Sequence, residues 1–199
     1  KARSAGGKAG LVYDFNPRHS LGAEFEYWHN GDKGETPSTT RIRQGEFSSY
    51  NEGIFRTHST IDNYSASLSY IYRLDTLGST FKVLSDYTHR SIGDRSDNET
   101  HKHMAGTVRD SLYYEQTSSR YDIITATVAL DKALSANWRI KGGAKYTRNE
   151  TSNDALYRVW EQEEWRPNSV EDYTIRYTEN IGALYVIASG TIGRFSLSA

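Results

Sequence analysis

Long runs in which apolar and polar residues alternate strictly are the feature that most constrains the fold of this chain. One run extends from Ile124 to Leu130, and a second extends from Trp138 to Tyr146 after a short polar segment. Successive side chains of a β-strand point to opposite faces, so each run predicts a strand with one apolar and one polar face. About eight such runs occupy the 199 residues, which predicts an all-β fold made of an antiparallel meander.

The two predicted faces differ in chemistry. The apolar side combines aliphatic residues with alanine, glycine and tyrosine: Leu11, Tyr13, Leu21, Ala23, Phe25, Tyr27, Tyr64, Ala66, Leu68, Tyr70, Phe81, Val83, Ile124, Val128, Ile140, Ala144. In the last long run the pattern predicts one side made of Tyr173, Ile175, Tyr177, Ile181, Ala183, Tyr185 and Ile187. The polar side carries Glu24, Glu26, Arg73, Lys82, Asp86, Arg139, Lys141 and Lys145.

The connections between the runs are of two kinds that alternate along the chain. Four are tight and rich in turn-forming residues, "NPRHS", "DTLGS", "DKALSAN" and "SGTIGR". Three are long and polar, at about 30–61, 92–118 and 150–170. In a meander this order places all short turns at one end of the sheet and all long loops at the other. Residues 155–165, "ALYRVWEQEEW", are the best helix candidate and predict at most one helical turn within a loop.

Composition excludes several classes of protein. Only 36% of residues are hydrophobic, whereas about 45–50% is usual in soluble domains. Aromatic residues reach 13%, which argues against disorder. The net charge of −1 offers no excess of cations for a nucleic acid, and the lack of cysteine excludes disulfides and thiolate sites.

A membrane explains the sparse apolar side. Lipid chains need no interlocking partner, so alanine and glycine cost little on a face that meets them. The runs are about 9–14 residues long, near the 9–11 that a tilted transmembrane strand needs. Short turns at one end and long loops at the other are typical of outer-membrane barrels, whose aromatic residues gather at the two interfaces.

Three segments also resemble a known family: "LVYDFNPRHSLGAEFEYWHN", "VALDKALSANWRIKGGAKYT" and "YTENIGALYVIASGTIGRFSLSA". They are similar to the C-terminal barrel of TonB-dependent receptor-like outer-membrane proteins of the Bacteroidetes type. The resemblance implies a barrel of about 22 strands, nutrient uptake across the outer membrane of a Gram-negative bacterium, a plug domain, and energy supplied through the TonB system. Residues 1–199 are then expected to be a fragment of one barrel domain without its plug, in contact with outer-membrane lipid.

A soluble β-sandwich that binds carbohydrate is the alternative, because it would also show alternation and loop aromatics. Tyr157, Trp160 and Trp165 are the weak candidates for ligand contact under either interpretation. The nutrient ligand itself is not readable from the loops.

Catalytic and cofactor motifs are not found, so no enzymatic activity, cofactor or metal site is predicted. His101 and His103 share one side of an extended chain but lack a visible third ligand. The acidic group Glu161, Glu163 and Glu164 is more typical of a solvated loop than of a cation site.

Overall fold

The computed structural model describes residues 1–44, 47–104, 107–168, 171–192 and 194–198, and these residues form one antiparallel β-sheet. Nine strands follow each other along the chain: β1 (Ala2–Asn16), β2 (His19–Gln44), β3 (Phe47–Arg73), β4 (Thr80–Met104), β5 (Thr107–Ala133), β6 (Trp138–Glu161), β7 (Glu164–Pro167), β8 (Tyr173–Ile192) and β9 (Phe195–Ser198). The order in the sheet is β1-β2-β3-β4-β5-β6-β8-β9, and β7 pairs with the far end of β6. The predicted meander is confirmed, with one short additional strand.

Tight turns join the strands at one end, and side-chain oxygens hold three of them, with Ser135 Oγ accepting the N–H groups of Asn137 and Trp138 in the turn between β5 and β6. The Oδ1 atom of Asn16 accepts hydrogen bonds from the backbone N–H groups of Arg18 and His19, at 2.9 and 3.1 Å. Asp75 receives the N–H groups of Leu77 and Ser79 in the same way, at 2.9 and 3.0 Å. These are the turns that Asn and Asp side chains stabilise by mimicking a backbone carbonyl.

The three long connections differ from the prediction, because most of their residues are in strands. The four strands β2 to β5 contain 25–27 residues each. Their halves farther from the tight turns remain paired with one another. Most of each predicted loop is therefore an extension of the sheet. Polar and charged residues occupy both faces of these extensions, so the alternation that marks a strand in the sequence is lost there.

Residues 155–165 form a hairpin and not a helical turn. Trp160 lies opposite Trp165, and Glu161 lies opposite Glu164. The two residues between them, Gln162 and Glu163, have φ angles of 53° and 65°. Positive φ at both central positions is the geometry of a type I′ turn, whose twist matches that of paired strands.

The sheet is a single layer with almost no interior. Among the described side chains only Ala133, Ala155, Ser20, Ser49 and Ser79 are buried. A sandwich would bury one face of each sheet beneath a second sheet, so the single layer formed by the described residues does not favour the β-sandwich alternative. The described residues contain no helix long and apolar enough to cross a membrane.

Candidate functional site

The register of the strands separates two faces, which we call the apolar face and the polar face. Directly paired residues share a face, and one such row on the apolar face runs through Leu21, Tyr70, Val83, Val128, Ala144 and Leu184. The neighbouring row on the polar face includes Glu24, Ser67, Asp86, Thr125 and Thr147. Most of the predicted assignment to faces is confirmed by this register.

The strand β8 departs from the prediction. Its register with β6 pairs Tyr185 with Gly143 and Ile187 with Lys141. The same register places the whole predicted apolar set on the polar face, so the prediction is wrong for Tyr173, Ile175, Tyr177, Ile181, Ala183, Tyr185 and Ile187. Leu184 and Val186 lie on the apolar face, where 86% and 76% of their surfaces are exposed. In β8 bulky apolar residues occupy both sets of alternating positions. The period of two alone therefore does not show which set lies on the apolar face.

The polar face carries charged side chains in the half of the sheet nearer the tight turns. Lys8 on β1 approaches Glu24 on β2 at 2.7 Å. Arg139 and Lys141 both approach the carboxylate of Asp131, at 3.1 and 3.6 Å. The Lys8–Glu24 pair is exposed to solvent and contributes little to stability, whereas Asp131 is half-buried between its two cations. Together these pairs make this face hydrophilic.

Aromatic side chains border the apolar face near the tight turns. The His19 ring stacks on Tyr72 with centroids 4.4 Å apart, and its Nδ1 lies 2.6 Å from the hydroxyl of Tyr70. Trp138 lies across Gly190, where an added Cβ would meet its ring at 2.5 Å. An aromatic ring with a polar edge suits a boundary between hydrocarbon and water.

A second aromatic border is built from a repeated contact, in which a Tyr-x-His segment of one strand meets an aspartate of the next strand. The sequence pattern did not predict this contact. The hydroxyl of Tyr27 and Nδ1 of His29 meet Asp62 on the next strand, at 3.1 and 2.8 Å. Tyr87 and His89 meet Asp122 in the same way, at 2.7 and 2.8 Å. The signal was present in the sequence as a repeat, since Tyr-x-His recurs and an Asp follows each His by 33 residues.

The third hairpin repeats the unit in a modified form. Tyr146 donates its hydroxyl to Asn180 at 2.7 Å, and Arg148 stands where the other hairpins have histidine. The three tyrosines of this border, Tyr27, Tyr87 and Tyr146, each lie seven or eight residues after the start of their strand. With a rise of about 3.3 Å per residue and a tilt of about 40°, eight residues span about 20 Å, close to the apolar band of about 25 Å in outer-membrane barrels.

The three predicted ligand candidates do not converge on one surface. Trp160 and Trp165 contact each other edge to face at 5.4 Å on the apolar-face side of the extension, and Trp165 also contacts Tyr114 at 5.0 Å. Tyr157 lies on the polar-face side and stacks on Tyr113 at 5.4 Å. A platform made of all three residues is therefore not formed.

The histidines that the sequence analysis singled out lie near the far end of β4. His101 Nδ1 is 2.7 Å from Asp110, and its Nε2 is 3.6 Å from Glu99. His103 Nε2 is 3.7 Å from Glu52. Across the described ranges no group of three or more His, Cys, Asp or Glu side chains is placed to hold a metal ion.

The charge of His101 makes this end of the sheet sensitive to pH. The hydrogen bond to Asp110, with the negative charges of Asp110, Glu99 and Glu52, raises the pKa of His101 above its ordinary value. A raised folded pKa contributes stability that is complete below the unfolded pKa, near 6.5, and is lost as pH rises through the folded value. We expect an NMR titration of the protein in detergent to give His101 a pKa above about 6.5.

Two variants identify the cause of that shift. Asp110→Asn should return the His101 pKa toward its ordinary value, whereas Asp97→Asn, which removes the partner of Arg95, should leave it unchanged. A wild-type His101 that titrates at or below about 6.5 would contradict the assignment.

Comparison with known proteins agrees with the two-faced sheet. The Outer membrane protein beta-barrel family matches residues 72–199. Among curated proteins, none matches this sequence. Of solved structures, the ferric citrate transporter FecA in its unliganded form aligns with 99% of this chain at 11% identity and a TM-score of 0.38, and the chain spans 26% of its length.

Two further structures are similar at lower scores. The ferric yersiniabactin uptake receptor FyuA from Yersinia pestis aligns with 97% of this chain at 6% identity and a TM-score of 0.25, over 36% of the receptor. CarO from Acinetobacter baumannii aligns with 92% of this chain at 9% identity and a TM-score of 0.28, over 95% of its own length.

Proposed function

Because this chain belongs to the outer membrane protein β-barrel family, we propose that it forms part of the barrel wall of a TonB-dependent receptor-like protein for nutrient uptake. In this proposal residues 1–199 lie within one barrel domain, and the protein is of the Bacteroidetes type that the hairpin sequences resemble. The outer membrane of a Gram-negative bacterium is its location, and the apolar face contacts lipid. No residue is assigned a catalytic role.

The observation that carries the proposal is the state of the two sheet edges. The described strands leave the outer edge of β1 unpaired, and β9 covers only residues 189–192 of β8. In hydrocarbon each unsatisfied backbone group costs several kcal/mol, so a transmembrane sheet has to close on itself. Pairing with further strands, as in a larger barrel that encloses a plug, would satisfy both edges.

The two faces then have distinct roles. The polar face, with its Lys8–Glu24 and Asp131–Arg139 pairs, lines the water-filled interior and looks toward the plug domain. The tight turns face the periplasm, and the long extensions face the outside. Tyr157 and Tyr113, on the polar-face side of an extension, are the aromatic residues best placed to meet a nutrient that enters the barrel.

Uptake by the full-length protein tests this function. Cells that produce it are supplied with radiolabelled ferric siderophores and, in parallel, with labelled oligosaccharides. We expect one of these classes to accumulate, and we expect accumulation to stop when TonB is deleted or the proton gradient is collapsed, while binding to the cell surface persists. Accumulation that is indifferent to both treatments would contradict an energised receptor.

A further inference from the structure

The stacked pair Tyr113 and Tyr157 lies on the polar-face side of the extensions, beyond the second aromatic border. We propose that this pair, with the carboxylates of Asp94, Glu115 and Glu171, binds an oligosaccharide whose sugars carry free ammonium groups. We call these five residues the tyrosine–acid site. Since the polar face lines the barrel interior only under the proposed uptake function, the site rests on that function and names the class of nutrient.

The two tyrosines form a nearly flat, half-buried surface. Their rings stack with centroids 5.4 Å apart and an angle of 28° between the ring planes. They lie on neighbouring strands, where Tyr113 pairs with Val159 and Tyr157 pairs with Glu115. The C–H groups on one side of a sugar ring pack against such a surface, because aromatic side chains offer a large apolar area that loses little conformational entropy on binding.

Carboxylates lie beside the tyrosine pair. Glu115 is directly opposite Tyr157, and Asp94 pairs with Thr117, two residues from Glu115 on β5. Burial raises the pKa of the Tyr157 hydroxyl, and the negative charges of Glu171 and Glu115 raise it further. Directly paired residues of a sheet have Cβ atoms about 4.5–5.5 Å apart, and diagonal neighbours about 7–8 Å. One sugar ring can therefore contact a tyrosine and a carboxylate at once.

The three carboxylates of the site are available to a cation. They belong to exposed residues, and no ion pair found within the described ranges involves them. Arg166, which lies on the same face, is paired with Glu164 at 2.9 Å. The other described cations of this face beyond the border lie four or more residues along a strand from the site: Arg90, Lys102 and Arg109. The unsatisfied charge is negative, so the site attracts a cationic ligand and repels an anionic one.

The surroundings of the site favour a sugar over a basic peptide. Extended peptides gain affinity by pairing with the free edge of a sheet. The site offers no such edge, because Ser96 on β4 pairs with Glu115, which in turn pairs with Tyr157. Ser96 and Asn98, which pairs with Tyr113, add hydroxyl and amide groups to the same face. Such groups both donate and accept hydrogen bonds, as the hydroxyl groups of a sugar require.

Binding of amino-sugar oligomers by the full-length protein in detergent tests the class of ligand. The probes are a glucosamine hexamer and its fully N-acetylated counterpart, compared by calorimetry at a pH where the free amines are protonated. We expect the acetylated hexamer to bind about tenfold more weakly or worse, because acetylation removes the charge-assisted hydrogen bond between an ammonium group and a carboxylate. Binding of the glucosamine hexamer should also weaken with added salt.

Variants of the site separate charge from stacking. Asp94→Asn/Glu115→Gln should weaken binding of the glucosamine hexamer by about tenfold or more and should change binding of the acetylated hexamer by less than about twofold. Tyr113→Ala should weaken binding of both hexamers by a similar factor, about threefold to tenfold, because both lose part of the stacking surface.

A matched pair of carboxylates on the opposite face supplies the control. Glu99 on β4 and Asp110 on β5 lie on the apolar-face side of the same two strands, where they approach His101. Glu99→Gln/Asp110→Asn makes the same chemical change and should alter binding of the glucosamine hexamer by less than about twofold, since these side chains point away from the site. Folding of every variant is checked by its heat-modifiable migration on a gel.

Three results would overturn the assignment of this ligand. Equal affinity of the wild-type protein for the two hexamers decides the question even if a variant does not fold. Tighter binding of a lysine hexamer than of the glucosamine hexamer would point to basic peptides. A loss in the Glu99→Gln/Asp110→Asn control as large as that in the site variant would show that position does not matter. None of these results bears on the dependence of uptake on TonB, and uptake indifferent to TonB would leave these affinities unchanged.

Discussion

Replacement of Leu68 by arginine is expected to lower the free energy of unfolding of the full-length protein in lipid by about 2–4 kcal/mol, the cost of an arginine at the middle of the lipid face of a barrel. Leu68 lies on β3 midway between Tyr64 and Tyr72, and 51% of its surface is exposed on the apolar face. Urea titration of the protein folded into lipid vesicles measures the change.

The neighbouring residue supplies the control. Ser67 lies on the polar face, between Glu24 on one side and Asp86 on the other. An arginine there meets two carboxylates and water, so Ser67→Arg should change the free energy of unfolding by less than about 0.5 kcal/mol. Equal losses in the two variants, or a larger loss for Ser67→Arg, would show that the apolar face does not meet lipid.

The second large effect is expected at Gly143, where the lack of a side chain is required. An added Cβ at this position would lie 2.7 Å from the ring of Tyr185 and 2.7 Å from the backbone oxygen of Val128. Gly143→Val should therefore push the ring of Tyr185 away from the backbone of β6. We expect the free energy of unfolding to fall by about 1–3 kcal/mol, as it does when a packed site is overfilled. The same vesicle titration reports the loss.

Gly182 on the adjacent strand is a matched position without neighbours. Nothing lies within 4 Å of an added Cβ there, and the residue is on the apolar face. Gly182→Val makes the same chemical change and should be neutral or slightly stabilising, because the new methyl groups meet lipid. If Gly143→Val is as harmless as Gly182→Val, Tyr185 does not cover Gly143, and the pairing of Tyr185 with Gly143 is wrong.

Prediction from sequence succeeded where one face met an apolar medium. Between the two aromatic borders, alternation such as that from Ile124 to Leu130 identified strands, and it assigned faces correctly in β1 to β6 but not in β8. Beyond the border formed by Tyr27, Tyr87 and Tyr146, the prediction of strands failed. There Ser, Thr and charged residues occupy both faces of strands that continue to pair. The helix candidate failed for a related reason, since the type I′ turn at Gln162 and Glu163 lacks the Asn-Gly sequence that usually marks it.

The candidate site was only partly accessible to the same reasoning. Aromatic residues near strand ends pointed to the borders, but Trp28, which is adjacent to Tyr27, lies on the polar face opposite Asn63. Tyr27 and His29 both contact Asp62, which follows them by 35 and 33 residues in the sequence. Only the register of neighbouring strands brings such residues together.

From the order of residues alone it follows that this protein is an antiparallel meander with one face suited to lipid and one suited to water, because period-two alternation reflects the geometry of a strand. Other features emerged only in the folded sheet: the length of the strands beyond the membrane, the face on which Tyr185 lies, and the contact of Tyr27 and His29 with Asp62. Those features depend on the register between strands, and register is set by pairing across the sheet and not by any one segment.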